Sequence, residues 1–371
     1  MVGFMRNYQK KGLRSWDKDR ALEWSKRQEW LCGFNYVPAY AGNTTEFWQG
    51  ESFDADAIAK ELRWAADWGY NSARIFLQYL VWKQDRHLYK ERIDTFLTTA
   101  SRYGISTIPV IFDDCAAYKE EFLNKWTLDG VGIAAGDMDR ELELQQFRRP
   151  TLGNQPDPVP GVHNSVWTPC PGTDIADDPD QYPRLREYEQ DIIGSFGSDP
   201  RIILWDMYNE PHNAGRRELS IPLVRDSFVW AREVEPQQPL TLCVGFAYDP
   251  VDEIAVENSD IVSFHSYSPF KRMKELLAPL QAIGYPLLIT EWMARSRGST
   301  IKNLLWYFKE ENIGCYQWGL VSGRTQTYFP WATQEGSQEP EIWFHDVIRQ
   351  DGSPYDETEY QLVRELTGRS G

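Results

Sequence analysis

Short apolar runs recur along the chain, each followed by a longer stretch in which apolar residues return every three or four positions. Apolar runs without alternation read as strands buried on both faces, and the intervening periodicity reads as amphipathic helix. The pattern predicts strands at Leu31–Val37, Ser72–Tyr79, Ser106–Phe112, Arg201–Tyr208, Leu240–Phe246, Ile261–His265, Pro286–Thr290 and Ile313–Trp318. Helices are predicted at Phe53–Trp68, Lys90–Tyr103, Gln181–Phe196, Arg216–Glu233, Phe270–Ala282, Thr300–Glu310 and Asp356–Leu366. Asp54 and Ser299 stand where N-caps belong, and Gly69, Gly104 and Gly284 stand where helices end. Strands alternating with helices in this way predict an α/β fold, a single right-handed (β/α)8 TIM barrel over residues 1–371 with no linker or internal repeat.

The rhythm breaks twice. A long insertion follows the third strand, at about 114–180, with a Gly/Pro-rich run from Pro150 to Pro183. A shorter one at about 319–343 follows the eighth strand and contains Tyr328, Phe329 and Trp331. Insertions at the C-terminal ends of barrel strands lie over the face where barrels keep their active sites.

Composition narrows the partners. With 55 acidic against 39 basic residues the net charge is −16, which excludes nucleic acid and anionic membrane, since both demand clustered Lys and Arg. Of the 16 Trp and 19 Tyr many belong to the core, but such rings also stack on sugar faces, which gains weight only beside the carboxylates below. The five cysteines form no C-x-x-C pair, so neither a disulfide framework nor a zinc site is called for. Cys115 and Cys170 flank the long insertion and either bridge it or stay free. The N-terminal segment lacks an apolar core of signal-peptide length, so the expectation is a cytoplasmic protein, or a secreted or periplasmic one if a signal has been removed.

The chemistry collects at strand ends. The run Trp205-Asp-Met-Tyr-Asn-Glu-Pro211 stops a strand abruptly and presents Asn209 and Glu210, while Pro286-Leu-Leu-Ile-Thr290 stops at Glu291 and Trp292. Two carboxylates on the ends of different strands are the minimum apparatus for hydrolysing a glycosidic bond: one proton donor, one nucleophile or base. Taken singly, each glutamate also fits a salt bridge on the barrel rim. Arg74 lies among apolar neighbours in Ser72-Ala-Arg-Ile-Phe76 and needs a buried partner, either a carboxylate at the mouth or a structural one elsewhere. His265 and Tyr267 share one face by the period of two, although a lone strand histidine also serves as a core group. Trp318 suits a stacking floor for a sugar, or the core.

Asn209-Glu210-Pro211 after an apolar strand, His265-x-Tyr267, Glu291, Arg74 and Trp318 together resemble the retaining glycoside hydrolases of clan A, with family 5 the nearest in pattern. The resemblance covers about residues 31–320 and rests on short motifs in order. It implies Glu210 as acid/base and Glu291 as nucleophile, carboxyl groups roughly 5 Å apart, and retained anomeric configuration. Arg74, Asn209, His265, Tyr267, Trp292 and Trp318 would then support the nucleophile or bind the sugar. Where many family members carry a histidine this chain has Asp113 and Asp114, which either bind sugar hydroxyls or cap the loop.

The expectation is a retaining β-glycosidase acting on β-linked oligo- or polysaccharide without cofactor or metal. The length of the first insertion favours exo-action. An endo-acting glycanase and a transglycosidase share every residue named. An inert carbohydrate-binding barrel would usually lack one glutamate. A metal-dependent hydrolase would need clustered ligands, and His87, His163, His212, His265 and His345 show no His-x-His pair.

Overall fold

A computed structural model describes residues 14–115, 149–211, 213, 216–246, 249–331 and 333–369. Nine strands, all parallel to their neighbours, form one sheet: β1 Cys32–Tyr36, β2 Ser72–Phe76, β3 Ser106–Asp113, β4 Trp205–Asn209, β5 Leu240–Thr241, β6 Cys243–Val244, β7 Val262–His265, β8 Leu287–Trp292 and β9 Gly314–Gln317. Their order is β5-β4-β3-β2-β1-β9-β8-β7-β6. The two ends of the sheet, β5 and β6, belong to one short run of chain with only Leu242 between them. That run pairs with β4 on one side and β7 on the other, so the sheet curls into the expected barrel. The predicted fifth strand is split because the Leu242 N–H donates to Ser259 Oγ at 2.9 Å and not to a neighbouring strand.

Several predicted boundaries move for local reasons. Ile202 makes only a single bridge to Thr107, so β4 starts at Trp205. After Phe76 the Gln78 side chain caps a new helix, Tyr79–Gln84, which ends β2 early. Asp85 caps the next helix, Arg86–Arg102, before the predicted start. The helix after β4 begins at Ile221. Thr300, not Ser299, caps the helix Ile301–Glu310, because the Ser299 backbone already pairs with Ala294 and its hydroxyl accepts from the Met293 N–H. Asp54 does cap the helix Ala55–Trp68, and Gly69 closes it in the left-handed region at φ 101°.

Two further helices of ten residues each belong to the frame. Asp249–Asn258 is the crossover between β6 and β7. Lys18–Arg27 lies across the N-terminal end of the barrel, where Trp16, Ala21 and Trp24 pack with Leu31, Ile108, Leu204, Ile261 and Leu288 at the strand starts. Asp260 anchors this plug, accepting from the Ser15 and Trp16 N–H groups on one oxygen and the Leu240 N–H on the other, with Arg232 at 2.8 Å.

Of the insertion at 114–180, residues 116–148 lie outside the described residues. Its described part runs along the C-terminal ends of the strands, where Cys170 and Asp113 exchange backbone hydrogen bonds at 2.8 and 2.9 Å. It is tied to the 319–343 insertion: Asn164 N–H donates to the Thr325 carbonyl, and Gln326 bonds Val159 and Gly161. All five cysteines are free. Cys170 Sγ accepts the Tyr79 N–H at 3.3 Å while Cys115 Sγ turns to Glu210, so the two thiols have separate partners and no bridge forms. Among the described residues no helix is long and apolar enough to cross a membrane.

The barrel leaves no room inside β1. A Cβ on Gly33 would lie 2.5 Å from the Ser72 carbonyl and 2.6 Å from the Tyr316 ring. Gly33→Ala is expected to destabilise the protein by about 1–3 kcal/mol, the usual cost of overpacking a core. Thermal denaturation checks this, and an unchanged melting temperature would contradict the packing described.

Candidate active site

The mouth of the barrel is organised by a buried cation. Arg74, on β2, has no exposed side-chain surface. Its Nε donates to Asp206 Oδ2 at 2.9 Å, Nη1 to Asn35 Oδ1 at 2.8 Å and Glu291 Oε1 at 2.9 Å, and Nη2 to Asn209 Oδ1 at 2.8 Å. Four side chains from β1, β4 and β8 thereby converge on one guanidinium. Asn35 holds its place by donating to the carbonyls of Thr290, Tyr316 and Gln317.

Glu291 occupies the end of β8, where parallel neighbours fix its backbone. Its second oxygen accepts from the Tyr267 hydroxyl at 2.8 Å, and His265 Nδ1 stands 3.6 Å away. Burial raises the Glu291 pKa above the usual carboxylate value; His265, Arg74 and Tyr267 pull it down, and Glu210 pushes it up. Glu210 follows β4 directly at φ 41°, a left-handed conformation that costs a non-glycine residue about 1 kcal/mol or more. That turn swings its carboxyl toward Glu291. His265 Nδ1 meets Glu210 Oε1 at 2.8 Å, and Asn213 Nδ2 donates to Oε2 at 2.7 Å. One oxygen of each glutamate and a ring nitrogen of His265 lie within 4.8 Å of one another. Side-chain exposure is 6% for Glu291 and 23% for Glu210, so the second glutamate faces the opening.

Burial opposes a charge on His265, but the Cys243 sulfur and the carboxylates of Glu291 and Glu210 hold its pKa well above the usual imidazole value. The same three residues are spaced to hold a metal ion. Arg74 already neutralises Glu291, however, and a divalent cation beside a guanidinium and an imidazolium would meet repulsion.

The remaining predicted positions divide. Asp113 is buried and accepts from Asn209 Nδ2, the Cys115 N–H and Trp167 Nε1, each at 2.8 Å. Burial pushes its pKa up to about 8 against those three donors. Asn209 is likewise occupied, bound to Arg74 and Asp113, and orients neighbours. Trp318 stays partly exposed, with Phe76 at 5.5 Å and Trp167 at 5.9 Å meeting its ring edge to face. Two positions do not join the site. Asp114 is paired with Arg216 and Tyr208, behind the strand ends. Trp292 alternates outward from Glu291 and packs on Phe308, with ring centroids 5.0 Å apart.

Sequence reasoning missed Asn35, Asp206, Trp167, Asn213 and Cys115. The first two carried the signal that exposed Arg74, a polar residue inside an apolar strand. Cys115 carried none toward Glu210, since its place at the edge of the insertion suggested only a bridge to Cys170 or a free thiol.

No protein-family model matches the chain, and no curated protein matches its sequence. Solved structures match along nearly its whole length. The endo-β-1,4-mannanase of Thermotoga petrophila superposes with a TM-score of 0.54 at 15% identity, covering 93% of this chain and 77% of that one. A family 5 mannosidase from Rhizomucor miehei gives 0.54 at 13% identity, covering 92% and 94%. An exo-β-1,4-mannosidase from Opitutaceae bacterium strain TAV5 gives 0.57 at 16%, covering 91% and 60%. At these identities the likeness establishes the fold: the chain has the (β/α)8 barrel of family 5 glycoside hydrolase structures.

Arg74→Met leaves Asp206 buried without its counter-charge, and is expected to cost about 3–5 kcal/mol of stability. The double variant Arg74→Met/Asp206→Leu should recover much of that loss. Chemical denaturation of both checks this; a single variant as stable as the parent would refute the buried pairing.

Proposed function

We propose that the chain is a retaining β-glycosidase in which Glu291 is the nucleophile and Glu210 the acid/base. The observation that carries this reading is the approach of the two carboxylates to within 4.8 Å, each at a strand end on the same face of the barrel. At that separation no water fits between attacking carboxylate and sugar carbon, which favours direct attack over inversion.

The environments of the two glutamates support these roles. Glu291 has donors on both oxygens, from Arg74 and Tyr267, which aim it and favour its ionised form. It would attack the anomeric carbon while Glu210 protonates the departing oxygen, giving a glycosyl-enzyme ester. Glu210, then ionised, would take a proton from water as that water attacks the same carbon. The ester breaks, Glu291 returns as carboxylate and Glu210 as acid. His265, touching both glutamates, provides positive charge beside whichever is ionised.

The substrate in this reading is a β-linked oligosaccharide, and β-mannosides are the first to test because the similar folds bear mannanase and mannosidase names. Cutting single sugars from a chain end is favoured by the two insertions, which bond to each other along the catalytic face.

Aryl β-glycosides with manno, gluco, galacto and xylo configuration test the proposal. Glu291→Ala should lose activity by about four orders of magnitude or more, and NMR of the first product should show the β anomer. Glu210→Ala should lose far more on poor leaving groups than on dinitrophenyl ones. Inverted product, or full activity of Glu291→Ala, would overturn the mechanism. Since burial raises the Glu291 pKa and the nucleophile must be ionised, activity should be lost as pH falls through a value above the ordinary ~4.3 of glutamate. A limb at or below that value in the pH profile of kcat/KM would contradict the environment assigned to Glu291.

A further inference from the structure

Cys115 is the last described residue before the long insertion proper, two positions beyond Asp113 at the end of β3. Its Sγ lies 3.0 Å from Glu210 Oε2. The same sulfur accepts from Asn213 Nδ2 at 3.2 Å and from Asn209 Nδ2 at 3.5 Å. Two amides directed at the sulfur leave its own hydrogen for the carboxylate. The Cys115 backbone is held as well, through its N–H to Asp113 Oδ1, so the thiol is presented from a fixed strand end. Burial, followed by the charges of Glu210 and Asp113, pushes the Cys115 pKa well above its usual value, which keeps the sulfur protonated and able to donate.

We propose that Cys115 is a positioning residue for Glu210: its thiol and the Asn213 amide hold Oε2 as an acceptor and fix the carboxyl against rotation. This rests on the reading of Glu210 as acid/base. The two oxygens have different surroundings: Oε2 meets a thiol and an amide, and Oε1 meets His265 Nδ1. An amide N–H is a donor that does not ionise at neutral pH. A thiol of raised pKa behaves likewise here. Oε2 is therefore a fixed acceptor, and the carboxyl cannot rotate without breaking both bonds. The link also joins the two halves of the site, because Asn209 bonds Cys115, Asp113 and the Arg74 that holds Glu291.

Cys115→Ala and Cys115→Ser test the role. Loss of the donor should lower kcat/KM of Cys115→Ala about five- to tenfold on substrates with poor leaving groups and little on dinitrophenyl glycosides. Its basic limb should move to higher pH, since a carboxylate that loses a donor is harder to ionise. Cys115→Ser, which keeps a donor, should restore most of both effects. Equal losses on all substrates with an unmoved basic limb would overturn the proposal, while Glu210→Ala on the same substrates reports separately on the acid/base reading. A second measurement needs no turnover. Iodoacetamide labelling of Cys115 at pH 8.5, located by peptide mass, should be at least about threefold faster in Glu210→Gln than in the parent, because removing the adjacent charge frees the thiolate. Equal labelling of the two proteins, or none of either, would show that the contact does not govern the pair.

Discussion

A guanidinium without solvent at the mouth of a barrel must find every partner within the protein, and the strands around Arg74 are arranged to supply them. Asn35, Asp206, Asn209 and Glu291 come from three other strands, β1, β4 and β8, yet all reach the same planar group. A fork of fixed geometry tolerates few registers, so the cation constrains how far β1, β4 and β8 slide past one another. The site is thereby a consequence of charge burial. Moving one strand by a residue would turn its partner away and leave a charge stranded, at a cost of several kcal/mol.

Burial also grades the three carboxylates around Arg74 and His265, because a charge held away from water must be met by donors within the protein. Asp206 lies deepest, held by Arg74, and Glu291 takes donors from Arg74 and Tyr267. Glu210 is the most exposed of the three, with a side-chain exposure of 23% against 0% for Asp206 and 6% for Glu291. The gradient runs from a buried, paired carboxylate inside the barrel to one that faces the opening.

What the sequence revealed followed from cost. A polar residue within or at the end of an apolar run demands an explanation, and that logic found Arg74, Glu210, Glu291 and the His265–Tyr267 pair without knowledge of their partners. It failed where a residue's direction depended on distant chain. Asp114 looked equivalent to Asp113 until Arg216, far along the sequence, claimed it. Trp292 groups with the sugar-binding residues because it adjoins Glu291, but strand alternation sends adjacent side chains to opposite faces. The cap at Thr300 and the break at Leu242 escaped for a related reason: each depends on a backbone group already bonded elsewhere. The strand sequence predicted the barrel because a parallel strand covered on both faces leaves a compositional trace. Hydrogen bonds between residues a hundred positions apart leave none.

The two ends of the barrel divide stability from function. At the N-terminal end the Lys18–Arg27 plug is closed by Asp260, whose two oxygens satisfy three backbone N–H groups. Two non-glycine residues there, Glu235 and Asn312, adopt a left-handed backbone conformation where a helix turns back into a strand, at φ 49° and 52°. At the other end Glu210, Phe246 and Met293 all do, with φ of 41°, 58° and 78°. Each stands just beyond a strand, where an extended backbone must turn out of the barrel, and each costs about 1 kcal/mol or more. Such strain persists only where surrounding structure enforces it. For Glu210 the enforcement is the cradle of His265, Asn213 and Cys115; for Met293 it is the pairing of its neighbour Ala294 with Ser299. Relaxing the turn at Glu210 would carry its carboxyl away from Glu291, so the strained backbone and the short carboxylate separation are one feature. The same fold carries both endo- and exo-acting names among the solved structures it resembles, so the barrel by itself does not decide between them.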